Sequence, residues 1–422
     1  MNTQALLSVV ADQREELLSN DCSELCSRHE ESRLDLKSYR AQVVIGVRRC
    51  GKSTLCEMFL KQSGAEFAYV NFDDDRMKDM EASDLDRLLE ALYMIYGEFK
   101  CLFLDEVQNI DGWPLFVNRL LRQKIHLFIT GSNSKLLSKE LSTHLTGRNN
   151  KVELYPFSFS EYCEMKKVDA ASVSTKAKGL RKRALHEYFQ QGGFPELFNE
   201  GNRRGYIGGL LDAIIKNDVA GRFKVRNVEA LRRIAAYLAD NYCQEFVAKT
   251  VGELFGVSNH TAENYYSYLK EAFLLVGVNR FSYKSKDRVR NEKVYVVDTA
   301  FVTEREDSFS LENLGWKLEN IVCIELMRRY KPLFCDVFYY KEASSQVDFV
   351  IARDGNVQEL IQVSYDISTE RTRNREIRGL KNAAKKLKCG NLTLVTFEEQ
   401  ETIEEEGCTI NVIPATEWLL GR

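Results

Sequence analysis

The run Gly46-Val47-Arg48-Arg49-Cys50-Gly51-Lys52-Ser53-Thr54 sets two glycines, a lysine and a hydroxyl at the spacing that encloses a chain of phosphates. A loop that wraps phosphates must turn sharply and bring backbone N–H groups within hydrogen-bond reach. Side chains obstruct that approach, so Gly46 and Gly51 are required, and the backbone of Val47, Arg48, Arg49, Cys50 and Thr54 completes the cradle. Lys52 offers a point charge to the β and γ phosphates, and Ser53 a hydroxyl ligand for magnesium. The helix expected from Thr54 to Gln62 aims its positive end at the anion. The chemistry this implies is binding and hydrolysis of ATP with Mg2+.

A second motif supports the first. Cys101-Leu102-Phe103-Leu104-Asp105-Glu106 is an apolar strand ending in two carboxylates. An interior strand tolerates charge only at its open end, so the pair belongs at the carboxyl edge of the sheet, beside the phosphate loop. Asp105 is the expected second magnesium ligand, and Glu106 the general base that orients the attacking water. The strand Ile125 to Ile129 runs into Thr130-Gly131-Ser132-Asn133, and either Asn133 or Thr130 is expected to hold that water. Arg148 is a candidate arginine finger, supplied to neutralise transition-state charge.

Several elements must position these groups. From Ala41 to about Leu154, β-rich runs (Gln42 to Ile45, Phe67 to Phe72, Lys100 to Leu104, Ile125 to Thr130, Lys151 to Leu154) alternate with helical stretches. That alternation predicts βαβ units around a buried, mainly parallel sheet. Residues 1 to 40 read as helical, with Leu6, Val9, Val10, Leu17 and Leu18 on one face. A helical, basic region follows to about Asn241. After it come a helix, Thr250 to Phe255, Ser258 to Phe273, and a strand pair around Leu274 to Phe281 and Lys293 to Val297, the order of a winged helix. The remainder mixes a helix, Gly315 to Tyr330, with strands at Val337 to Tyr340, Val347 to Ile351 and Leu360 to Val363. The expected architecture is α/β: a P-loop core with a parallel sheet at 1–160, a helical lid at 161–225, a winged helix at 226–300 and a second α/β domain at 301–422.

Composition agrees with a chain of this kind. At 422 residues, two or three cores are expected. A net charge of -3 excludes a protein that coats nucleic acid over its whole surface, so any such contact is local. The eleven cysteines are odd in number and scattered through apolar runs, the pattern of reduced thiols. Cys22 and Cys26 lack the partners of a four-ligand zinc site, and no structural metal is expected. With no leader pattern at Met1 and no apolar run of membrane-spanning length, the expected location is the cytoplasm, away from the membrane.

The run from Gly46 to Leu55, Leu104-Asp105-Glu106-Val107-Gln108, Thr130-Gly131-Ser132-Asn133-Ser134, Leu145-Thr146-Gly147-Arg148, Tyr155-Pro156-Phe157-Ser158-Phe159 and Gly192-Gly193-Phe194-Pro195-Glu196 together resemble a large group of prokaryotic AAA+ ATPases. These carry a C-terminal domain similar to the PD-(D/E)XK nuclease fold. The resemblance implies that Gly193 and Pro195 lie against the nucleotide. It also places Arg148 at an inter-subunit or inter-domain face, which makes an oligomer an expected partner state.

Two accessory sites follow. In the winged-helix region, Asn259-His260-Thr261-Ala262-Glu263-Asn264-Tyr265 is a candidate recognition helix. Arg280, Lys284, Lys286, Arg288, Arg290 and Lys293 set a basic wing against Asp287 and Glu292, suited to DNA phosphates; the alternative is docking to a protein client. In the tail, Asp348 and the helix carboxylate Glu319 fit the acids of a metal-dependent nuclease, and Gln362 stands on the next strand. Ser364 occupies the place of the lysine, so no cleavage is expected unless Lys341 substitutes from a neighbouring strand. The reading is therefore an ATP-driven switch or remodeller that engages DNA. An ATP-gated nuclease of a defence system and a nucleotide-dependent protein scaffold are its alternatives.

Overall fold

The computed structural model describes residues 1–422 apart from 23–24, 133–144, 146, 285–287, 289–291, 306–307, 309–312, 343–344, 406 and 422. The chain divides into two compact units, Met1–Leu154 with Glu271–Phe273, and Tyr155–Lys270 with Leu274–Arg422.

The first unit is built on a five-stranded sheet in the order β2-β3-β4-β1-β5, from β1 (Ala41–Ile45), β2 (Phe67–Asn71), β3 (Cys101–Asp105), β4 (His126–Gly131) and β5 (Asn149–Glu153). All its pairings are parallel. β1 and β3 are buried at every position, as continuous apolar runs in a doubly covered parallel sheet should be. The helices Lys52–Gln62 and Trp113–Arg122 pack on β4, and Thr3–Ser19 and Leu85–Tyr96 pack on β2. The N-terminal helix is shorter than its apolar pattern predicts. Asn2 caps it by accepting from the Ala5 N–H, and it ends at Ser19, with only a short 3-10 turn, His29–Arg33, before β1.

The second unit begins with helices Phe159–Met165 and Thr175–Gln191, the former started by a Ser158/Glu161 capping box. The helix Arg203–Ala213 passes without a break into a π-helix, Ile214–Gly221. Three more helices follow, Val228–Asp240, Ala248–Phe255 and Asn259–Glu271. β6 (Gln244–Glu245), β7 (Leu275–Asn279) and β8 (Glu292–Val296) then make a small antiparallel sheet in the order β6-β8-β7. The C-terminal part wraps a six-stranded sheet, β13-β14-β12-β11-β10-β9, formed by β9 (Asp336–Glu342), β10 (Ser345–Arg353), β11 (Asn356–Val363), β12 (Leu392–Thr396), β13 (Glu401–Glu405) and β14 (Cys408–Pro414). The helix Glu370–Leu387 buries Ile377, Leu380 and Ala384 against this sheet, in a core with Val347, Val350 and Leu360. Among the described residues, no helix is long and apolar enough to cross a membrane.

Candidate nucleotide site

In an open parallel sheet, ligands gather at the carboxyl ends of the strands where the chain's winding changes direction. Here that point is β1, from which β2 lies to one side and β5 to the other. The phosphate loop leaves β1 at this end. Gly46 passes so close to its neighbour that an added Cβ would stand 2.1 Å from the Leu154 carbonyl oxygen, which explains the residue better than flexibility does. Gly51 adopts φ +95° as it caps the helix Lys52–Gln62, a left-handed conformation that glycine reaches without strain. Arg49 also takes a positive φ, 64°. Cys50 is buried, and its carbonyl accepts from Arg28 Nη1 at 3.0 Å, which anchors the loop from behind.

The four side chains that carry the chemistry form one network. Lys52, buried, donates to the Val47 carbonyl at 3.2 Å and lies 3.4 Å from Glu106 Oε1. Ser53 Oγ donates to Asp105 Oδ1 at 2.7 Å, and Tyr69 donates to Asp105 Oδ2 at 3.3 Å. Thr130 donates its hydroxyl proton to Asp105 Oδ1 and accepts from the Glu106 N–H at 2.9 Å. Glu106 has φ +49°, an uncommon conformation that turns it out of strand geometry after β3, and Gln108 donates to its carboxylate. Burial, and then the neighbouring Glu106, push the Asp105 carboxyl up to about 6, against the hydrogen bonds from Thr130 and Ser53 and the charge of Lys52.

The remaining expected residues are placed less uniformly. Val47 is buried, Arg48 pairs with Asp73 at 3.4 Å, and Thr54 is half-buried on the helix. Thr130 has its hydroxyl engaged by Asp105 and Glu106, so its geometry suits bracing those groups more than holding water. Asn133 lies outside the described residues. Arg148 sits just before β5, whose register with β1 pairs Asn149 with Ala41. It therefore stands at the amino end of the sheet, about 15 Å along the strands from the phosphate loop, bonded to Asn118 Oδ1 at 2.9 Å. The expectation of an arginine finger is thus corrected for the chain's own site: from that end Arg148 can reach only a nucleotide held by another copy. Pro195 opens a short 3-10 turn, Pro195–Phe198, in the second unit, after Gly193 receives the Phe157 N–H and donates its own to Asp298 Oδ2 at 2.8 Å.

In the tail, the structure brings Glu319, Asp348 and Gln362 together and leaves Lys341 out. Lys341 pairs with Glu245 at 2.6 Å and is half exposed, so it is not the missing lysine. The cation beside the two acids is Lys293, from β8. Sequence reading had assigned Lys293 to an exposed basic wing. Its signal was a single lysine heading the apolar run Val294 to Val297.

Residues 38–163 match the AAA domain family, 182–308 a domain of unknown function (DUF8612) and 314–418 a second domain of unknown function (DUF4143). Among curated proteins, the chain is 34% identical to an uncharacterized protein of Methanocaldococcus jannaschii over 90% of this chain and 88% of that one. It is 32% identical to an uncharacterized protein of Haemophilus influenzae over 90% of this chain and 94% of that one. A solved structure of the Thermotoga maritima RuvB Holliday junction branch migration motor aligns at 15% identity with a TM-score of 0.30, over 65% of this chain and 88% of that one, too distant to bear on function. Identity of this level over nearly the full length of both relatives, with the AAA domain holding the phosphate loop, shows that the chain belongs to their family, one of P-loop ATPases of the AAA class.

Proposed function

We propose that this protein binds and hydrolyses ATP with magnesium, and uses the cycle as a switch or remodeller. The observation that carries the reading is the single network of Lys52, Ser53, Asp105, Thr130 and Glu106 at the carboxyl edge of β1, β3 and β4, facing a loop whose shape requires Gly46 and Gly51. The backbone N–H groups from Val47 to Thr54 receive phosphate oxygens. Ser53 Oγ and Asp105 would hold the magnesium ion, which supplies positive charge against the phosphates when bound. Lys52 exchanges its contact with Glu106 for a phosphate oxygen, and Glu106, released, orients a water and accepts its proton. Thr130 keeps both carboxyl-bearing residues in register, and Asn133 holds the water. Pro195 and Gly193 close on the nucleotide from a helical lid, and Arg148 acts on a neighbouring copy's site.

The finer assignment is a lid at 161–225, a winged helix at 226–300 and an α/β tail at 301–422, with DNA engaged by the helix Asn259–Glu271. Exposed Asn259 and His260 support that contact. Burial of Lys293 weakens it by removing one cation from the hairpin, which favours a protein client as the second reading.

The decisive experiment is ATP binding and turnover by Lys52→Ala and Glu106→Gln. Lys52→Ala is expected to lose ATP binding with the fold retained. Glu106→Gln is expected to keep ATP bound and to lose at least about 100-fold in turnover. Wild-type affinity in the first, or wild-type hydrolysis in the second, would overturn the proposal.

A further inference from the structure

The largest cluster of buried charge outside the nucleotide site lies where β8 meets the tail. Lys293 Nζ lies 3.0 Å from Glu319 Oε1 and 3.4 Å from Asp348 Oδ1, and 5.7 Å from the centre of the Tyr339 ring. Lys293 and Asp348 are each 5% exposed and Glu319 9%. The other polar atoms are turned toward protein. Tyr295 donates to Glu319 Oε1 at 2.8 Å, and the Val363 N–H donates to Asp348 Oδ2 at 3.1 Å. Gln362 accepts from the Asp348 N–H at 3.1 Å and donates to Glu376 Oε2 at 2.8 Å. A divalent ion needs several oxygens directed at one point. Here an ammonium stands between the two carboxylates, and the amide oxygen of Gln362 is spent on backbone. The residues therefore do not fit the metal that a nuclease of this shape would use.

Burial alone would lower the lysine's pKa, but Asp348 and Glu319 raise it above the ordinary value, so the charge is kept. A buried ion pair is a poor source of net stability, yet removing one partner is costly because the other charge is left unpaired. The pair therefore fixes position. The same hairpin is held at further points: Phe281 N–H donates to the Tyr339 carbonyl at 2.6 Å, Arg280 bridges to Tyr339, and the Phe281 ring is buried in the tail's core.

We propose that Lys293 is an ionic latch: its ammonium takes the place of a divalent cation between Glu319 and Asp348, fastens the β7–β8 hairpin to the tail, and leaves the tail a seat for that hairpin instead of a metal-dependent nuclease. The latch presents the hairpin and the helix Asn259–Glu271 to any partner in one fixed orientation. It stands or falls independently of the nucleotide site.

The test uses the full-length protein without nucleotide. Manganese is titrated calorimetrically into wild type and Asp348→Asn, and thermal melts compare wild type, Lys293→Met and the neutral triple variant Lys293→Met/Glu319→Gln/Asp348→Asn. Wild type and Asp348→Asn are expected to bind the same number of manganese ions. Lys293→Met is expected to melt about 10 °C lower, and the triple variant to regain at least half of that loss, because no charge is left unpaired. Amide exchange at Phe281 should accelerate in Lys293→Met. A manganese ion bound by wild type and lost in Asp348→Asn would overturn the proposal, as would a melting temperature of Lys293→Met equal to wild type. If Lys293→Met yields no folded protein, the triple variant decides: a folded triple variant supports the latch, and an unfolded one refutes it.

Discussion

Replacing Thr130 with valine is the sharpest probe of how the nucleotide site is tuned. The threonine is fully buried, and its hydroxyl makes two bonds, one given to Asp105 and one taken from the Glu106 N–H. Valine keeps the shape and removes both, which should cost about 1–3 kcal/mol of stability for the buried groups left without partners. The effect on chemistry is larger in kind. The Thr130 bond is the first-ranked influence opposing the rise of the Asp105 carboxyl to about 6. Its loss removes stabilisation of the carboxylate worth about 1.4 kcal/mol, or about one pKa unit, and moves the carboxyl to about 7. Asp105 must be ionised to hold magnesium, so activity falls as pH drops through the carboxyl's pKa, and the substitution moves that fall toward neutrality. At pH 6 the ionised fraction drops from about one half to about one tenth, roughly a fivefold loss of kcat/KM, whereas at pH 8 the loss from this cause is small. The assay is the pH dependence of kcat/KM for ATP in wild type, Thr130→Val and Thr130→Ser, the last expected to behave as wild type. An acid limb that does not move in Thr130→Val would refute the role given to this hydroxyl.

Other outcomes follow from the same geometry. Gly46→Ala forces a Cβ to within 2.1 Å of the Leu154 carbonyl and is expected to lose ATP binding more than about tenfold, with a lower melting temperature, measured by nucleotide titration and thermal melts. Arg148→Ala should leave the affinity for ATP within about twofold, since the residue stands at the far end of the sheet. If it serves a neighbour, mixing Arg148→Ala with Lys52→Ala chains should restore turnover that neither has alone. Reversing Lys284, Lys286, Arg288 and Arg290 to glutamate should weaken binding to all DNA sequences and flatten its salt dependence in a titration; unchanged binding would favour a protein client.

The nucleotide site was legible because its residues lie in short runs whose local geometry is nearly obligatory. A strand of unbroken apolar residues, Val43 to Ile45, followed by Gly46 and then Gly51-Lys52-Ser53 leaves little choice of conformation. What escaped was set by distance along the chain. Thr130 reads as one polar group among four at a strand end, and only the register of β3 beside β4 makes it the brace for Asp105 and Glu106. Arg148 reads as adjacent to the site, but a parallel strand entered from its other end carries it away. Lys293 reads as one more cation in a basic stretch, although its partners lie 26 and 55 positions further on. In the tail, β12, β13, β14 and the helix Glu370–Leu387 went unassigned, the helix because its charged residues outnumber the apolar stripe that packs it.

The π-helix Ile214–Gly221 carries a consequence for chain length. Hydrogen bonds from each residue to the fifth along, where an α-helix uses the fourth, accommodate one surplus residue without breaking the helix. Buried Asp218, 3.9 Å from Arg222, lies within that stretch. Deleting one residue there would restore ordinary winding and turn everything downstream by about 100° about the helix axis, with a shift of about 1.5 Å. The segment therefore behaves as a phase-setting spacer: its residue number governs the angular bearing at which the rest of the chain leaves the helix Arg203–Ala213, and conservative changes of side chain should be far better tolerated than the loss of a single peptide unit.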